Sequence, residues 1–337
     1  MERHSPMHKP FPGVFSWDVH AQSSYLHNHL CFARANGLRH TLINSTTGTA
    51  ELQRFLNRSV EGSSALIVGA RTILSPQFLQ PSEFQDFFAT YLSDNDVVLP
   101  ITPLQQGISV IGSFGMFVRN SAVGRAFVDT WASMDTLCAI SDPETRQHKT
   151  IVYAAVLRHL FDTHNIPIQQ LDTMCRMDPK KIHAFFLYNC FRLLSDGIAR
   201  SEQSCKRLLL TSGILLTEEP FAINAARSGG VQAAAPEWRD AALSTLLIHA
   251  GGFNSASAHA SERADIYLVR LLNLLGFEQH GDECPHRLSS PAKGTEDQKV
   301  KKGIDRWHFF SKIIMIVMLS LLLVTIGLFV VVVIKII

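Results

Sequence analysis

Asp94 and Asp96, in the run Asp94-Asn95-Asp96, are two carboxylates one residue apart. That spacing suits a hard divalent cation and, through it, a diphosphate. They follow an amphipathic helix, where Asp and Asn are the favoured residues of a solvated turn, and the turn reading is the stronger. His249 closes the apolar run Leu246-Leu247-Ile248 just ahead of Gly251-Gly252. A histidine there is a metal ligand or, more often, a hydrogen-bonded structural residue. Gly112-Ser113-Phe114-Gly115 carries glycines but lacks the Lys-Ser/Thr ending of a phosphate loop. The chain has no dinucleotide glycine fingerprint, no serine nucleophile elbow and no helical His-Glu zinc pair. Asp142-Pro143-Glu144 opens a helix, where acids favour the dipole. Thirty-one basic against 29 acidic residues give a net charge of +2, which offers no grounds for a nucleic-acid partner.

The elements that must hold these residues alternate. Residues 14–19 read as a first strand, and a helix follows from Ser23 or Ser24 to Asn36 with Leu26, Leu30 and Ala33 on one stripe. Residues 38–44 are a strand, 51–57 helix-like, and 65–68 a short apolar strand. Phe84, Phe87, Phe88 and Tyr91 recur at helical spacing, so residues 83–92 form an amphipathic helix. Val97-Val98-Leu99 is a buried strand closed by Pro100, and residues 113–118 another. Helices follow, one carrying Val123, Phe127 and Trp131, the next over residues 147–161. In the second half, residues 182–194 are apolar and aromatic, 207–216 read as one or two strands, 243–249 as a strand and 261–275 as a helix. Strand–helix–strand alternation of this kind predicts an α/β sandwich.

With that order in place, the run Cys31-Phe32-Ala33-Arg34-Ala35-Asn36-Gly37, the strand at 65–68, Asp96-Val97-Val98-Leu99-Pro100 and the stretch Gly112 to Ser121 leading to Phe127 and Trp131 resemble the nucleotide-sugar-binding core of GT-A glycosyltransferases. The likeness is to the galactosyl- and mannosyltransferase-related families and covers roughly residues 20–255. It implies a GT-A-like, Rossmann-type mixed sheet flanked by helices. In that family an apolar strand ends in Asp-x-Asp, which holds a divalent metal and the sugar-nucleotide diphosphate. Here Val68-Gly69-Ala70-Arg71 stands in that place, with Gly69 and Arg71 where the acids belong. His249 matches the family's late strand-end histidine. The resemblance therefore puts donor binding at Gly69, Arg71 and His249, with no catalytic residue assigned. The metal motif is degenerate, Asp94 and Asp96 are its weak replacement, and a nucleotide sugar with Mn²⁺ is expected only if transfer survives. Arg71 would neutralise phosphate directly, since a guanidinium does part of a metal's electrostatic work.

From Ile313 to Ile334 the chain is apolar except for Ser320, Thr325 and Gly327. Such a run is long enough to span a bilayer, which takes about 20 apolar residues. The expected layout is an arm and first strand (1–19), the α/β domain (20–275), a linker with a basic juxtamembrane segment (276–308) and a transmembrane anchor (309–337). Lys299, Lys301 and Lys302, with Arg306 and Lys312, precede the span and predict a cytosolic flank near anionic headgroups. With no signal-peptide pattern at the N-terminus, the body is expected in the cytosol, on the endoplasmic reticulum or Golgi. The six cysteines are widely spaced and read neither as zinc ligands nor as a disulfide framework, with Cys190 and Cys205 as core thiols. Asn44-Ser45-Thr46 and Asn57-Arg58-Ser59 are glycosylation sequons that matter only for a lumenal body. The expected function is a tail-anchored, glycosyltransferase-like module that binds a nucleotide sugar or a protein partner. Metal-independent transfer, or a membrane scaffold without a small ligand, are the alternatives.

Overall fold

Two strands leave β1 in opposite directions, and that reversal organises the molecule. The computed structural model describes residues 13–18, 23–44, 48–69, 72–103, 109–112, 114–138, 146–164, 171–175, 177, 179–217, 220–224, 236–249, 271–273, 275–278 and 283–287. β1 (Gly13–Asp18) pairs in parallel with β2 (Arg39–Asn44) on one side and with β3 (Ser64–Val68) on the other. α1 (Ser23–Ala35) connects β1 to β2, and α2 (Gly48–Arg58) connects β2 back across β1 to β3. Crossovers of one hand running in opposite directions place their helices on opposite faces of the sheet. Accordingly Phe32 and Ala33 of α1 lie in one buried cluster, and Leu52 and Leu56 of α2 in the other.

Beyond β3 the sheet turns antiparallel. β4 (Thr72–Leu74) leaves it, and a 3₁₀ turn (Pro76–Leu79), α3 (Pro81–Phe87) and a π-helical turn (Phe88–Leu92) follow. β5 (Val97–Pro103), β6 (Ser109–Ile111) and β7 (Gly115–Arg119) complete the run, giving the order β2-β1-β3-β7-β5-β6. β5 does not stop at Pro100, as proline's missing N–H suggested. It continues to Pro103, because Pro100 pairs with a parallel strand, β8 (Ile214–Thr217), and accepts from the Gly112 amide through its carbonyl.

Side chains alternate between the two faces. Ala65 and Ile67 of β3 and Met116 and Val118 of β7 meet α2, α4 (Ala122–Cys138), α5 (Arg146–His164) and α7 (Pro179–Leu193). Leu66, Val68 and Phe117 meet α1 and the aromatic cluster of Phe78, Phe84 and Phe87. Every residue of β3 is buried, as a strand covered on both faces requires.

In the second half α6 (Leu171–Met174) precedes α7, and α8 (Glu202–Thr211) precedes β8. Residues 207–216 are thus not strands alone. The Ser201 hydroxyl caps the helix by accepting from the Ser204 amide, Cys205 and Leu209 bury one helical turn apart, and Gly213 ends it at φ +83. Residues 243–249 are likewise split. α9 (Pro236–Ser244) takes the first part, and β10 (Leu247–His249) pairs parallel with β9 (Ala222–Asn224) and antiparallel with β4. Leu271, Leu272 and Leu275, from the segment expected to be helical, are buried beside Ile73 and Ile248. A short pair, β11 (Phe277–Glu278) and β12 (His286–Arg287), follows.

The cysteine reading is overturned. Cys31 is bonded to Cys284, Cys138 to Cys175 and Cys190 to Cys205, so Cys190 and Cys205 are not thiols. Wide spacing hid the pairs because each joins elements brought together only by the fold: α1 with the segment before β12, the end of α4 with the turn after α6, and α7 with α8. Replacing Cys190 and Cys205 by serine is expected to lower the unfolding free energy by about 3 kcal/mol, for a loop of 15 residues. An unchanged denaturant midpoint would contradict the pairing. The span from Ile313 to Ile334 and Lys299, Lys301 and Lys302 lie outside the described residues. Among those described, no helix is long and apolar enough to cross a membrane.

Candidate functional site

Ligands of open α/β sheets bind outside the carboxyl ends of the strands, where the strand order reverses. Here that place is the end of β1 and β3, with β4 and β10 alongside. Gly69 follows β3 directly, and its amide donates to the Phe114 carbonyl at 2.9 Å. A β-carbon on Gly69 would lie 2.9 Å from the Phe114 oxygen and 3.0 Å from its Cα. Glycine is therefore required at this position by a backbone approach, not by a turn.

Thr72 links Gly69 to His249. Its amide donates to the Gly69 carbonyl, and its hydroxyl donates to the Phe114 carbonyl at 2.8 Å. With that proton spent, Thr72 Oγ1 accepts from His249 Nδ1 at 3.2 Å. His249 is half-buried and stacks on the Phe114 ring, 4.7 Å between centroids. Gly69 and His249 are thus brought into one cluster. Arg71 lies outside the described residues. Asp94 and Asp96 stand at the far end of the sheet. The Asp96 carbonyl accepts from Arg119, and Arg119 pairs with Ser64 at the start of β3, whereas Gly69 follows its last residue.

Four residues of this cluster belong to no sequence motif: Ser16, His29, His40 and Thr72. Nε2 of His29 donates to the Thr72 carbonyl, so its Nδ1 accepts from the Ser16 hydroxyl at 2.8 Å. Ser16 Oγ in turn accepts from His40 Nε2 at 2.7 Å. One directional chain runs His40–Ser16–His29–Thr72, and His249 joins it at the Thr72 hydroxyl. Burial lowers the pKa of His29 to about 4, partly opposed by its bond to the Thr72 backbone. Burial lowers that of His40 as well. Both imidazoles are therefore neutral at pH 7. The buried stripe of α1 is consequently Tyr25, Asn28, His29 and Phe32, with Leu26 and Leu30 only half-buried. Asn28 completes it by exchanging two hydrogen bonds with the Leu74 backbone. A histidine and an asparagine on one stripe with Tyr25 and Phe32 were the legible trace of this contact.

A second polar cluster is built on β6, whose Ile111 pairs with Ile101 of β5. The Tyr153 hydroxyl accepts from the Ile111 amide at 2.7 Å and lies 3.2 Å from His183 Nδ1. Glu202 accepts from the Ser109 amide and pairs with Lys206 at 3.1 Å, while His183 Nε2 lies 3.7 Å away, too far to hydrogen-bond. Burial raises the Tyr153 pKa and lowers that of His183 against the pull of Glu202. The cluster ties β6 to α5, α7 and α8. Among the described residues, His27, Cys31 and Cys284 form a group with metal-ligand spacing, but both cysteines are in a disulfide.

No family model and no curated protein matches this chain. It is similar in structure to a glycosyltransferase involved in glycosylating the major capsid of PBCV-1, with 8% identity, 76% of this chain and 100% of that one covered, and a TM-score of 0.40. It is also similar to the galactosyltransferase LgtC in complex with donor and acceptor sugar analogs (10% identity, 76% and 94% covered, TM-score 0.29). A third similar structure is the glycosyltransferase GlyE of Streptococcus pneumoniae (12% identity, 79% and 63% covered, TM-score 0.31).

Proposed function

We propose that the α/β body binds a nucleotide sugar without a metal, in the crevice at the ends of β1 and β3. In this reading it is a glycosyltransferase-like module whose metal-dependent transfer has eroded, and the run from Ile313 to Ile334 holds it to an endoplasmic reticulum or Golgi membrane. The motif order of the sequence and the reversal of strand order about β1 both support the reading. The observation that carries it is the close approach of Gly69 to the Phe114 backbone. In this reading Gly69 takes the position of the family's first metal-binding acid, and a β-carbon there would meet the Phe114 backbone at 2.9–3.1 Å, which argues against a carboxylate.

A diphosphate bound without a metal needs another source of positive charge. Arg71, two residues after Gly69 in sequence, supplies a guanidinium that pairs with phosphate oxygens in a bidentate fork. His249 lends a ring already fixed in place by Thr72 and Phe114. A charge-assisted hydrogen bond contributes about 1.5–3 kcal/mol. Arg71→Ala should therefore weaken nucleotide-sugar binding roughly 10- to 100-fold in calorimetric titration. An unchanged affinity would remove Arg71 from the site, and no binding by the unsubstituted chain to any nucleotide sugar would favour the membrane scaffold.

A further inference from the structure

We infer that the α/β body folds on the oxidising, exoplasmic side of its membrane and that Asn57 carries an N-linked glycan there. The six cysteines of the chain all pair. The Cys31–Cys284 bond joins residues 253 apart, Cys138–Cys175 ties the end of α4 to the turn after α6, and Cys190–Cys205 cross-links α7 and α8. Each bond forms as two thiols give up two electrons and two protons to a thiol–disulfide oxidoreductase. Such bonds persist in the endoplasmic reticulum lumen and beyond, and the glutathione and thioredoxin systems of the cytosol keep thiols reduced. The cationic stretch ahead of the span argues for the opposite side through the positive-inside bias. That bias acts through a few charges, whereas three covalent bonds need the right redox poise to exist at all, so the bonds decide.

Asn57-Arg58-Ser59 meets the sequence requirement of an acceptor on that side. It closes α2, whose Leu52 and Leu56 are buried against the sheet, and Asn57 and Arg58 are exposed on the outer face. A glycan on Asn57 would project from the surface without displacing any core side chain. In the transfer, the Asn57 amide nitrogen gives a proton to a base of the transferase and bonds to the anomeric carbon of a lipid-linked oligosaccharide, as the bond from that carbon to the lipid diphosphate breaks and the lipid diphosphate leaves. The proposal does not depend on what the crevice binds.

The test is expression of the full chain in cells with a secretory pathway, as the unsubstituted protein and as N57Q and S59T. Electrophoresis before and after peptide N-glycosidase gives the glycan count, and alkylation before and after reduction counts thiols. Asn57→Gln should run one glycan step lighter than the unsubstituted chain. Ser59→Thr preserves the sequon and should keep that step. No cysteine should alkylate until the chain is reduced, when all six do. An Asn57→Gln chain that migrates with the unsubstituted one, or cysteines that alkylate without reduction, would overturn the proposal.

Discussion

Gly69→Asp is expected to destabilise the fold by about 1–3 kcal/mol or more and to create no metal site. The acid would restore one half of the motif that the resemblance predicts, yet its β-carbon meets the backbone of Phe114 at 2.9–3.1 Å. Those atoms cannot swing aside as a side-chain tip would. Phe114 is held by the Gly69 amide and the Thr72 hydroxyl, and its ring stacks on His249. Moving it would disturb its contacts with Gly69, Thr72 and His249. Gly69→Ala carries the same β-carbon without the charge, so most of the loss should appear there too. Denaturant midpoints and calorimetric Mn²⁺ titration read the outcome. A stable Gly69→Asp chain that binds Mn²⁺ would show that the metal site had lost only its ligands and kept its space.

The second large effect is acid sensitivity. His29 is neutral in the folded chain, with its pKa lowered from 6.5 to about 4. The unfolded chain thus binds a proton below pH 6.5 that the folded chain refuses until about pH 4. Stability from this group is complete above pH 6.5 and falls as the pH drops toward 4, where the loss levels off. A difference of about 2.5 units at 1.36 kcal/mol each makes the loss roughly 3 kcal/mol. His40, also lowered by burial and facing the same Ser16 hydroxyl, adds in the same direction. Denaturant unfolding at pH 7.5, 6, 5 and 4 should show the decline, and His29→Gln should make it shallower. A flat profile for the unsubstituted chain would mean that the His40–Ser16–His29 chain is absent or open to water.

Both effects arise from contacts made by tertiary packing, not from the local periodicity of the chain. The strand–helix alternation through β1, α1, β2, α2 and β3 was legible because each element carries its own periodicity and its own stops, such as Gly37 at φ +65 after α1. The second half was less so. The apolar run Leu208-Leu209-Leu210 looks like a strand, and only the Ser201 cap and the burial of Cys205 with Leu209 make it part of a helix. At the site, Gly69 and His249 could be nominated by matching a family pattern. The partners that join them could not, because Thr72 pairs with His249 across 177 residues and His29 reaches Thr72 across 43. The disulfides were hidden for the same reason. A contact made by tertiary packing leaves no spacing in the chain. What remained visible was a polar pair, Asn28 and His29, on the buried stripe of α1, where neither helix propensity nor burial of apolar area favours it.

The central claim is that the crevice holds a nucleotide sugar without a metal, and calorimetric titration in EDTA and again in Mn²⁺ tests it most directly. Across a panel of nucleotide sugars, at least one should bind with the same affinity in both buffers. Binding that appears only with Mn²⁺, or no binding in either buffer, would contradict the account.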